Sequence, residues 1–504
     1  MITVVLSSIS RIWQMSLYAA QRNTRNRRNT AMTLSTDFFQ TLPVVDETAT
    51  DLLLQKEIAK NHRKFVVLDD DPTGVQTVHD ISVFTNWDRD SILQGFQEPE
   101  PLFYILTNSR GLTQEETTLV HKQIAETVDS VAKELHKDYL FISRSDSTLR
   151  GHYPLEPELL RESYEHYTGK TIHGEILCPF FKEGGRFTIG NVHYVKYGNE
   201  LVPANETEFA KDSTFGYTAS TLPDYIEEKT KGAFAASDVV CISLDDLRSL
   251  NLDSIEKQLL SVDRFQKVIV NAVDYVDLKV FCIALYRAMG KGKLFLLRSA
   301  ASIVKVLGGI TDQPLLSREK MVTKDSSSGG IIVIGSHTDK TTQQLEELKK
   351  LPDIMFLELN ATLVRDAESF EKEVERCLSL EEQYLKEGKT VCCYTSRALI
   401  TADTGNKEDE LRLSVRISDA VQSLVGQLTV TPSFVIAKGG ITSSDVGTKA
   451  LGVKKARVLG QIRPGIPVWQ TGDDSKFPQI PYVIFPGNVG ERTTLQEAVE
   501  ILLP

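Results

Sequence analysis

Short apolar runs alternate with longer amphipathic segments along most of the chain from Lys64 onward. The apolar runs have the length of strands, and many of them end in Gly, Ser, Thr or Asp. The predicted strands of the first half are Phe65 to Leu68, Leu102 to Leu106, Tyr139 to Ile142, Val239 to Ile242, Val268 to Val270 and Leu294 to Leu297. Glu115 to Leu135 and Leu278 to Met289 have helical periodicity. Strands that alternate with helices predict parallel sheets covered on both faces.

A polar, small-residue segment at 323–330 divides the chain and predicts a linker. After it the pattern repeats: strand Ile331 to Ile334, helix from about Thr341, strand Val391 to Tyr394, helix around Leu411 to Val425, strand Phe434 to Ala437, helix from about Ser444. A chain of 504 residues also exceeds what one core usually organises. We therefore predict an α/β protein of two domains, 37–322 and 331–504. Each has a mainly parallel sheet flanked by helices, and the active site lies in the interdomain cleft.

The first 36 residues differ from the rest in composition. They contain five arginines after position 10 and no acidic residue before Asp37. An Arg-rich, acid-poor leader is typical of a transit peptide, while a disordered extension or a true start at Met32 is an equal alternative. We expect this segment to lie outside the fold. The protein is then expected in the cytoplasm, or in mitochondria if the leader is a genuine transit peptide.

Composition narrows the classes of function. The formal net charge of -11 gives no general attraction to nucleic acid. No stretch approaches the roughly 18 apolar residues that a membrane span needs. The six cysteines are scattered without zinc or disulfide spacing, so most are expected to pack in the cores. Small molecules are therefore the expected partners, and self-association into a homo-oligomer is left open.

Polar residues that follow predicted strands are the first candidates for a site, because ligands of open α/β sheets bind at the carboxyl ends of strands. The segment Asp69 to Gly74 begins with three consecutive carboxylates, which repel one another unless a cation, a basic side chain or a hydroxylated ligand is near. The segment 107–111 contains Arg110, which could bind a carboxylate with two parallel hydrogen bonds. Ser143 to Gly151 crowds hydroxyls, two arginines and an acid together, and this fits a polyol or hydroxy acid. The glycine turn with Arg186 is a weaker signal.

Three glycine-bearing turns follow strands in the second half: 335–338, Lys438 to Ser443, and 486–490. Glycine permits close backbone approach, and exposed amides at a helix start can hold an anion. Thr341 and Gln344 have capping-box spacing in the helix after the first turn. None of the common nucleotide or hydrolase motifs, such as GxxxxGK[ST], GxGxxG or GxSxG, is present. Three converging turns predict a nucleotide site of a less common type.

Together these segments resemble the four-carbon acid sugar kinase family, ATP-dependent enzymes that phosphorylate threonate, erythronate or 3-oxo-tetronate. The resemblance extends from about Lys64 to the C-terminus. It rests on Asp-Asp-x-Thr-Gly at 70–74, Asn-Ser-Arg at 108–110, Asp-Ser-Thr-x-Arg-Gly at 146–151, Gly-Arg-x-Thr at 185–188, Gly-Ser at 335–336, Gly-Gly-x-Thr at 439–442 and Gly-Asn-x-Gly at 487–490.

The resemblance implies a carbohydrate kinase with ATP and Mg²⁺ as cofactors, a sugar-acid pocket in the first domain and a nucleotide site in the second. Arg110, with Arg144 or Arg150, would bind the substrate carboxylate, and Asp71 or Asp70 would accept the proton of the attacking hydroxyl. The full set of expected substrate-binding residues is Asp70, Asp71, Arg110, Arg144, Asp146, Ser147 and Arg150. The expected nucleotide-binding residues are Ser336, Gly439, Gly440, Ile441, Thr442 and Gly487. A metal ligand cannot be assigned from the sequence.

Two other classes of protein share parts of this pattern. A dinucleotide-dependent α/β oxidoreductase acting on a hydroxy acid could use the same glycine turns, but the missing GxGxxG counts against it. A non-catalytic sugar-acid sensor would bind ligand without turnover. The acidic cluster beside a full set of phosphate turns favours the kinase.

Overall fold

The computed structural model describes residues 31–322, 327–397, 407–487 and 489–504, without the side chains of 407–411. The strands are β1 Leu34–Ser35, β2 Lys64–Asp69, β3 Ile81–Phe84, β4 Leu102–Leu106, β5 Tyr139–Arg144, β6 Gly174–Cys178, β7 Arg186–Ile189, β8 Val192–Tyr197, β9 Glu200–Pro203, β10 Val240–Ile242, β11 Gln266–Val270, β12 Phe295–Ser299, β13 Ile331–Ile334, β14 Ile354–Leu359, β15 Thr390–Thr395, β16 Val435–Lys438, β17 Lys455–Arg463, β18 Ile466–Thr471 and β19 Pro481–Phe485.

The α-helices are α1 Glu47–Ile58, α2 Arg89–Gln97, α3 Gln114–Glu134, α4 Leu155–Thr168, α5 Leu222–Lys229, α6 Leu244–Arg248, α7 Leu252–Ser261, α8 Tyr275–Gly290, α9 Ala301–Leu307, α10 Arg318–Met321, α11 Asp339–Leu348, α12 Ala367–Lys386, α13 Lys407–Gly426, α14 Gly440–Asp445 and α15 Thr494–Leu502. A turn of π-helix, Val446–Ala450, continues α14. No helix within the described ranges combines the length and apolar character that crossing a membrane requires.

The N-terminal domain is built on eight parallel strands in the order β10-β11-β6-β12-β5-β2-β4-β3. The central strands are buried along their whole length, as expected for a parallel sheet with helices on both faces. Helix α8 is buried over most of its surface and packs against α1 and α7. This confirms the predicted α/β architecture of the first half.

The C-terminal domain continues the same sheet. Its strands follow in the order β17-β18-β19-β16-β13-β15-β14, with parallel pairing from β19 to β14 and antiparallel pairing among β17, β18 and β19. The two halves join where β3 pairs antiparallel with β17, from Phe84 opposite Lys455 to Ile81 opposite Val458. The sequence predicted two sheets, but hydrogen bonds connect them into a single 15-stranded sheet. Part of the predicted linker, 323–326, lies outside the described residues.

A second, antiparallel sheet of four strands, β1-β9-β8-β7, covers part of the N-terminal domain. Leu34 pairs with Leu201 in this sheet, and the Ser35 side chain accepts a hydrogen bond from Asp37 at the start of a 3₁₀ helix. The last residues of the segment that was expected to lie outside the fold therefore belong to it. The structure does not describe residues 1–30.

Buried side chains fill both faces of the long sheet, and the cysteines follow the predicted pattern. Five of the six cysteines are buried, Cys241 is partly exposed, and all are free thiols. The helix expected from about Ser444 begins at Gly440 instead. The glycine turn therefore runs directly into the first turn of a helix.

Candidate functional site

The polar strand ends of the N-terminal domain come together because β5, β2 and β4 are neighbours in the sheet. Asp69 ends β2, Arg110 follows β4, and Asp146 and Arg150 follow β5. Carboxyl ends of parallel strands lie at one edge, so segments far apart in sequence share one surface. We call these residues, with Asp70, Asp71 and Arg144, the acidic-arginine cluster.

Arg110 is the centre of this cluster. Its guanidinium donates two hydrogen bonds to Asp70, Nη2 to Oδ1 at 2.6 Å and Nε to Oδ2 at 3.2 Å. Its Nη1 donates to Oδ2 of Asp71 at 3.1 Å and lies 4.0 Å from Oδ1 of Asp146. The pKa of Arg110 is well above its ordinary value, because three carboxylates outweigh the effect of burial. One permanent cation thus holds three acids together.

Asp70 and Asp71 differ in accessibility although they are adjacent. Asp70 is buried, and both of its oxygens are occupied, since Ser145 Oγ also donates to Oδ2 at 2.5 Å. The Asp71 side chain is 18% exposed. Its Oδ1 accepts bonds from the backbone and hydroxyl of Thr73 at 2.8 and 2.5 Å. Burial alone would raise the pKa of Asp71, but Arg110 and Thr73 outweigh it and lower the pKa, so this carboxylate is ionised at neutral pH.

Asp69 and Arg144 form a buried pair beneath the accessible acids. Arg144 Nη1 donates to Asp69 Oδ1 at 2.9 Å, and only 4% of the Arg144 side chain is exposed. Burial, together with the charges of Asp70 and Asp71, raises the pKa of Asp69 to about 7 against the opposing effect of Arg144. A Cβ built on Gly74 would lie 1.7 Å from Asp69 Oδ2, so the turn after the acids needs glycine. Arg144 thus lies deeper than the sequence alone indicates, and its expected contact with substrate stays a prediction.

Arg150 is the more accessible alternative to Arg144, with 23% of its side chain exposed. Its Nε donates to Asp146 Oδ2 at 2.8 Å. Burial opposes ionisation of Asp146, but the charges of Arg150 and Arg110 prevail and its pKa lies well below the ordinary value. The guanidinium of Arg150 lies 5.1 Å from the centre of the Phe209 ring.

Arg186, which follows the glycine turn at 184–185 and begins β7, is the weaker candidate of the sequence analysis. Its guanidinium lies 5.4 Å from the same Phe209 ring, and its Nε is buried without a hydrogen-bond partner. No carboxylate pairs with it among the described residues, although Asp146 is near enough to favour its charge. The glycine turn at 184–185 is the sequence signal for Arg186. Its closeness to Arg150 cannot be predicted from that signal, because it depends on how the four-stranded sheet packs on the domain.

Ser147 lies in the loop after β5 but is buried. Its backbone carbonyl accepts a hydrogen bond from Nε2 of His193 at 2.7 Å, and Nδ1 of that ring is 3.0 Å from the Thr188 hydroxyl. Burial lowers the pKa of His193 to about 4, so the ring is neutral. The backbone of Ser147 is therefore held in place by a buried neutral histidine, and its expected contact with substrate stays a prediction.

In the C-terminal domain, β19, β16 and β13 are adjacent, and their ends carry the three predicted glycine turns. Gly439 has φ +121°, and a Cβ there would lie 3.2 Å from the Cβ of Ser336. A Cβ on Gly487 would lie 3.8 Å from Ser336 Oγ and 3.9 Å from the Gly439 Cα. The three turns therefore meet, as the sequence predicted, although they come from segments about 50 to 150 residues apart.

Next to these turns lies a cavity of about 560 Å³, a size typical of small-molecule sites. Its walls include Ser336, Gly439, Gly440, Ile441, Thr442 and Gly487, all of them predicted from the sequence. Ile441 is 73% exposed, and Val415 on α13 is also exposed, so one wall is apolar. Ser418, Asp445 and Lys449 complete another wall; Asp445 accepts from Ser418 Oγ at 2.7 Å and pairs with Lys449 at 3.1 Å. These residues of α13, α14 and the π-helical turn belong to no motif, so the sequence alone does not single them out.

The helix after the first glycine turn begins differently from the prediction. Thr338 caps α11 by accepting from the Thr341 amide, so Thr341 and Gln344 lie inside the helix and do not form a capping box. Gln344 Nε2 instead donates to the carbonyls of Val489 and Glu491 at 3.2 and 2.9 Å. This amide ties the loop after Gly487 to α11 and keeps two of the turns in register.

The acidic-arginine cluster and the glycine turns face each other. A Cβ built on Gly440 would lie 3.7 Å from Asp71 Oδ2. Apart from its chain neighbours and the backbone of its own helix, no other described atom comes within 4 Å of that position. A hydrogen bond from Gln76 Nε2 to the Gly465 carbonyl, 3.0 Å long, joins the domains close by. The two candidate sites are therefore parts of one surface region.

Comparisons with known proteins agree with this division. Residues 65–307 match the model of a sugar-binding N-terminal domain, and residues 331–495 match that of a nucleotide-binding C-terminal domain. No curated protein matches the chain.

Two solved structures share the fold at 16% sequence identity. A Haemophilus influenzae protein of the DUF1537 family superimposes with a TM-score of 0.56 over 87% of this chain and all of that one. A Salmonella typhimurium LT2 protein that carries a provisional tRNA synthase name gives 0.60 over 86% of this chain and 98% of that one. At this identity the likeness extends to the fold alone.

The two matched domains together cover most of the chain, in the same order and on either side of the 323–330 segment. The chain therefore belongs to the family in which a sugar-binding N-terminal domain precedes a nucleotide-binding C-terminal domain, the architecture of the four-carbon acid sugar kinases.

Proposed function

We propose that this protein is an ATP-dependent kinase that phosphorylates a hydroxyl group of a four-carbon sugar acid of the threonate, erythronate or 3-oxo-tetronate type. The observation that carries the proposal is the position of Asp71, whose carboxylate oxygen Oδ2 accepts one bond from Arg110 and faces Gly440 at the start of α14. Phosphoryl transfer requires an acceptor hydroxyl beside a base and in line with a bound phosphate. Asp71 and the glycine turns meet these two requirements from opposite domains.

The acidic-arginine cluster supplies groups for the acceptor. Arg110 and Arg150 are the guanidiniums with exposed edges, and guanidinium groups bind carboxylates in two-bonded geometry. Carboxylate oxygens of Asp71 and Asp146 are suited to accept hydrogen bonds from substrate hydroxyls. This combination of cations and acceptors favours a hydroxy acid over an uncharged sugar.

The second domain supplies groups for the donor. Backbone amides of Gly440 and Gly487, with Ser336 and Thr442, would bind the phosphates at the start of α14, whereas the Gly439 amide already donates to the Phe485 carbonyl at 2.9 Å and would only shape the turn. The exposed apolar wall around Ile441 and Val415 would contact the adenine ring. Within the described ranges no three His, Cys, Asp or Glu side chains are grouped to hold a metal. Mg²⁺ bound mainly by phosphate oxygens and water would neutralise charge on the transferred group.

Asp71 is the better candidate for the base. Asp70 has both oxygens occupied by Arg110 and Ser145, whereas Asp71 Oδ2 has a single bond to Arg110. Because Asp71 is ionised at neutral pH, it can accept the proton when the hydroxyl attacks. The buried pair of Asp69 and Arg144 would fix the position of the loop that carries it.

ATP consumption with threonate, erythronate and their 3-oxo forms tests the proposal. We expect turnover with at least one acid that depends on both ATP and the acid, and its loss in Asp71→Asn. Asp90→Asn, which changes an exposed carboxylate on α2, is the matched control. Nicotinamide absorbance changes without ATP use would instead identify an oxidoreductase. Binding of acid and nucleotide without turnover would identify a sensor.

A further inference from the structure

Lys438 is a buried lysine at the junction of two glycine turns. It is the last residue of β16, immediately before Gly439, and its side chain is 0% exposed. Its Nζ donates to the carbonyl oxygens of Pro486 at 2.6 Å and Gly487 at 3.3 Å, and lies 4.2 Å from the centre of the Phe485 ring. The side chain of one turn thus holds the backbone of the next.

The charge of Lys438 has no acidic counterpart in the described part of the chain. Among the described residues no carboxylate forms an ion pair with it, and its partners are two neutral carbonyls and a ring. Lys267 in the first domain shows the usual arrangement, since it is equally buried but pairs with Glu175 at 2.6 Å. A buried ammonium without an anion is costly unless an anion arrives from outside.

The surroundings of Lys438 add no compensating charge. Lys340, in the first turn of α11, disfavours a second positive charge, and His337 follows β13 in the adjoining turn. The described residues of β19 and its turn bring Phe485, Pro486 and Gly487, none of which titrates. Burial, with a smaller effect of Lys340, lowers the pKa of Lys438 to about 7.

We propose that Lys438 is a positioning residue of the nucleotide site, whose ammonium group holds the Pro486–Gly487 turn against the Gly439 turn and is neutralised by the phosphates of the bound nucleotide. The proposal rests on the proposed function, because it takes the glycine turns as the phosphate site. It adds that the described protein atoms supply no anion for the Lys438 ammonium group, so that its charge is balanced only when nucleotide phosphates are bound.

A measurable consequence is proton uptake. At pH 8 a lysine with a pKa of about 7 is about nine-tenths neutral, and phosphates that favour its charged form would draw a proton onto it. At this pH the side chain would take up close to one proton as the nucleotide binds. The Kd for nucleotide should therefore rise as the pH increases above 7, approaching about tenfold per pH unit while the bound form stays protonated.

Calorimetric titration of the full-length protein with ADP at pH 8, in two buffers of different ionisation enthalpy, measures this uptake directly. We expect close to one proton in the wild type and in His337→Asn, which removes the other nitrogen base beside the turn. Lys438→Met should show no uptake and a Kd at least about tenfold higher. Lys349→Met, which removes a lysine of the same domain away from the turns, should match the wild type.

The outcomes separate the two proposals. If the wild type binds ADP without proton uptake, the role of Lys438 is wrong while the nucleotide site stands. Uptake that persists in a folded Lys438→Met variant, or that disappears in His337→Asn, would also overturn it. If the wild type does not bind ADP, the proposed function fails as well. Because the wild-type and His337→Asn titrations suffice for a decision, the test does not depend on Lys438→Met folding.

Discussion

Asp71 and Gly440 face each other across the boundary between the domains, with only 3.7 Å between Asp71 Oδ2 and the place where a Gly440 side chain would begin. Asp71 follows a strand of the sugar-binding domain, and Gly440 begins a helix of the nucleotide-binding domain. An acid this close to a helix start competes with phosphate for the same amides unless a hydroxyl group lies between them. The proximity of Asp71 and Gly440 therefore leads to one set of predictions for the acidic residues and another for the glycine turn.

Replacing Asp71 and Asp70 separates proton transfer from structure. Asp71→Asn keeps the size and can keep the bonds from Thr73, but it removes the base and the acceptor for Arg110 Nη1. Because Arg110 stays paired with Asp70, we expect kcat to fall about 10²- to 10⁴-fold with ADP affinity unchanged and unfolding little changed. Asp70→Asn breaks the two-bonded pair with Arg110, so we expect lower stability in urea unfolding besides reduced turnover. Near-normal kcat in a folded Asp71→Asn protein would show that another group is the base.

Adjacent glycines of the turn should respond differently to alanine. Gly439 has φ +121°, where an L-residue is strained by about 1 to 3 kcal/mol, and its Cβ would press on Ser336. Gly439→Ala should therefore lower stability and raise the Kd for ADP at least tenfold. Gly440→Ala has no such strain and should fold normally, so thermal unfolding of the two variants gives the comparison. Equal stability of both would contradict the strain argument.

Arg150 and Arg144 should separate substrate binding from stability. Arg150→Met removes an exposed guanidinium, so we expect KM for the acid to rise about 10- to 100-fold with unfolding little changed. Arg144→Met leaves Asp69 buried without its partner, which costs about 3 to 5 kcal/mol when the acid is charged. Steady-state kinetics and urea unfolding of both variants check this. A rise in KM that occurs only in Arg144→Met would show that Arg144, and not Arg150, binds the substrate carboxylate.

Asp69 should make stability depend on pH. Its folded pKa is about 7 and its unfolded pKa is near 4, so between these values the folded state binds a proton that the unfolded state does not. Its contribution to the free energy of unfolding therefore falls as pH rises from about 4 to 7, by up to about 1.4 kcal/mol per pH unit, and stays constant above that range. Asp69→Asn lacks this dependence. The difference between wild type and variant in urea unfolding from pH 5 to 8 measures it, and a difference that does not vary with pH would refute it.

The sequence predicted the parts of the fold and site that depend on local pattern. The bounds of Leu102–Leu106 and Ile331–Ile334 match the structure, since long apolar runs ended by turn residues carry their own signal. The strand ends around Asp71 and Gly439 followed from the rule that places ligands at the carboxyl edge. Whether an acid there is accessible depends on packing, and this is why Asp70, Ser147 and Arg144 were not recognised as buried.

Other features depend on contacts between distant segments. The pairing of Ile81–Phe84 with Lys455–Arg463 joins strands more than 370 residues apart, and nothing in either strand indicates the partner. Arg186 and Arg150 come near each other at Phe209, a residue of the 3₁₀ helix Glu208–Lys211 that lies close to both guanidiniums. Contacts of this kind depend on the three-dimensional path of the chain. They leave no periodic pattern or motif in the sequence from which they could be predicted.

The junction of β3 with β17 also bears on how the two halves can move. Two domains that are joined only by a flexible linker can rotate freely relative to each other. Here backbone hydrogen bonds between β3 and β17 connect the two domains. Any movement of the glycine turns toward the acidic-arginine cluster must therefore twist the continuous β-sheet. The stiffness of the sheet limits the amplitude of that motion. A ligand bound to one domain therefore affects the position of the other domain through the sheet.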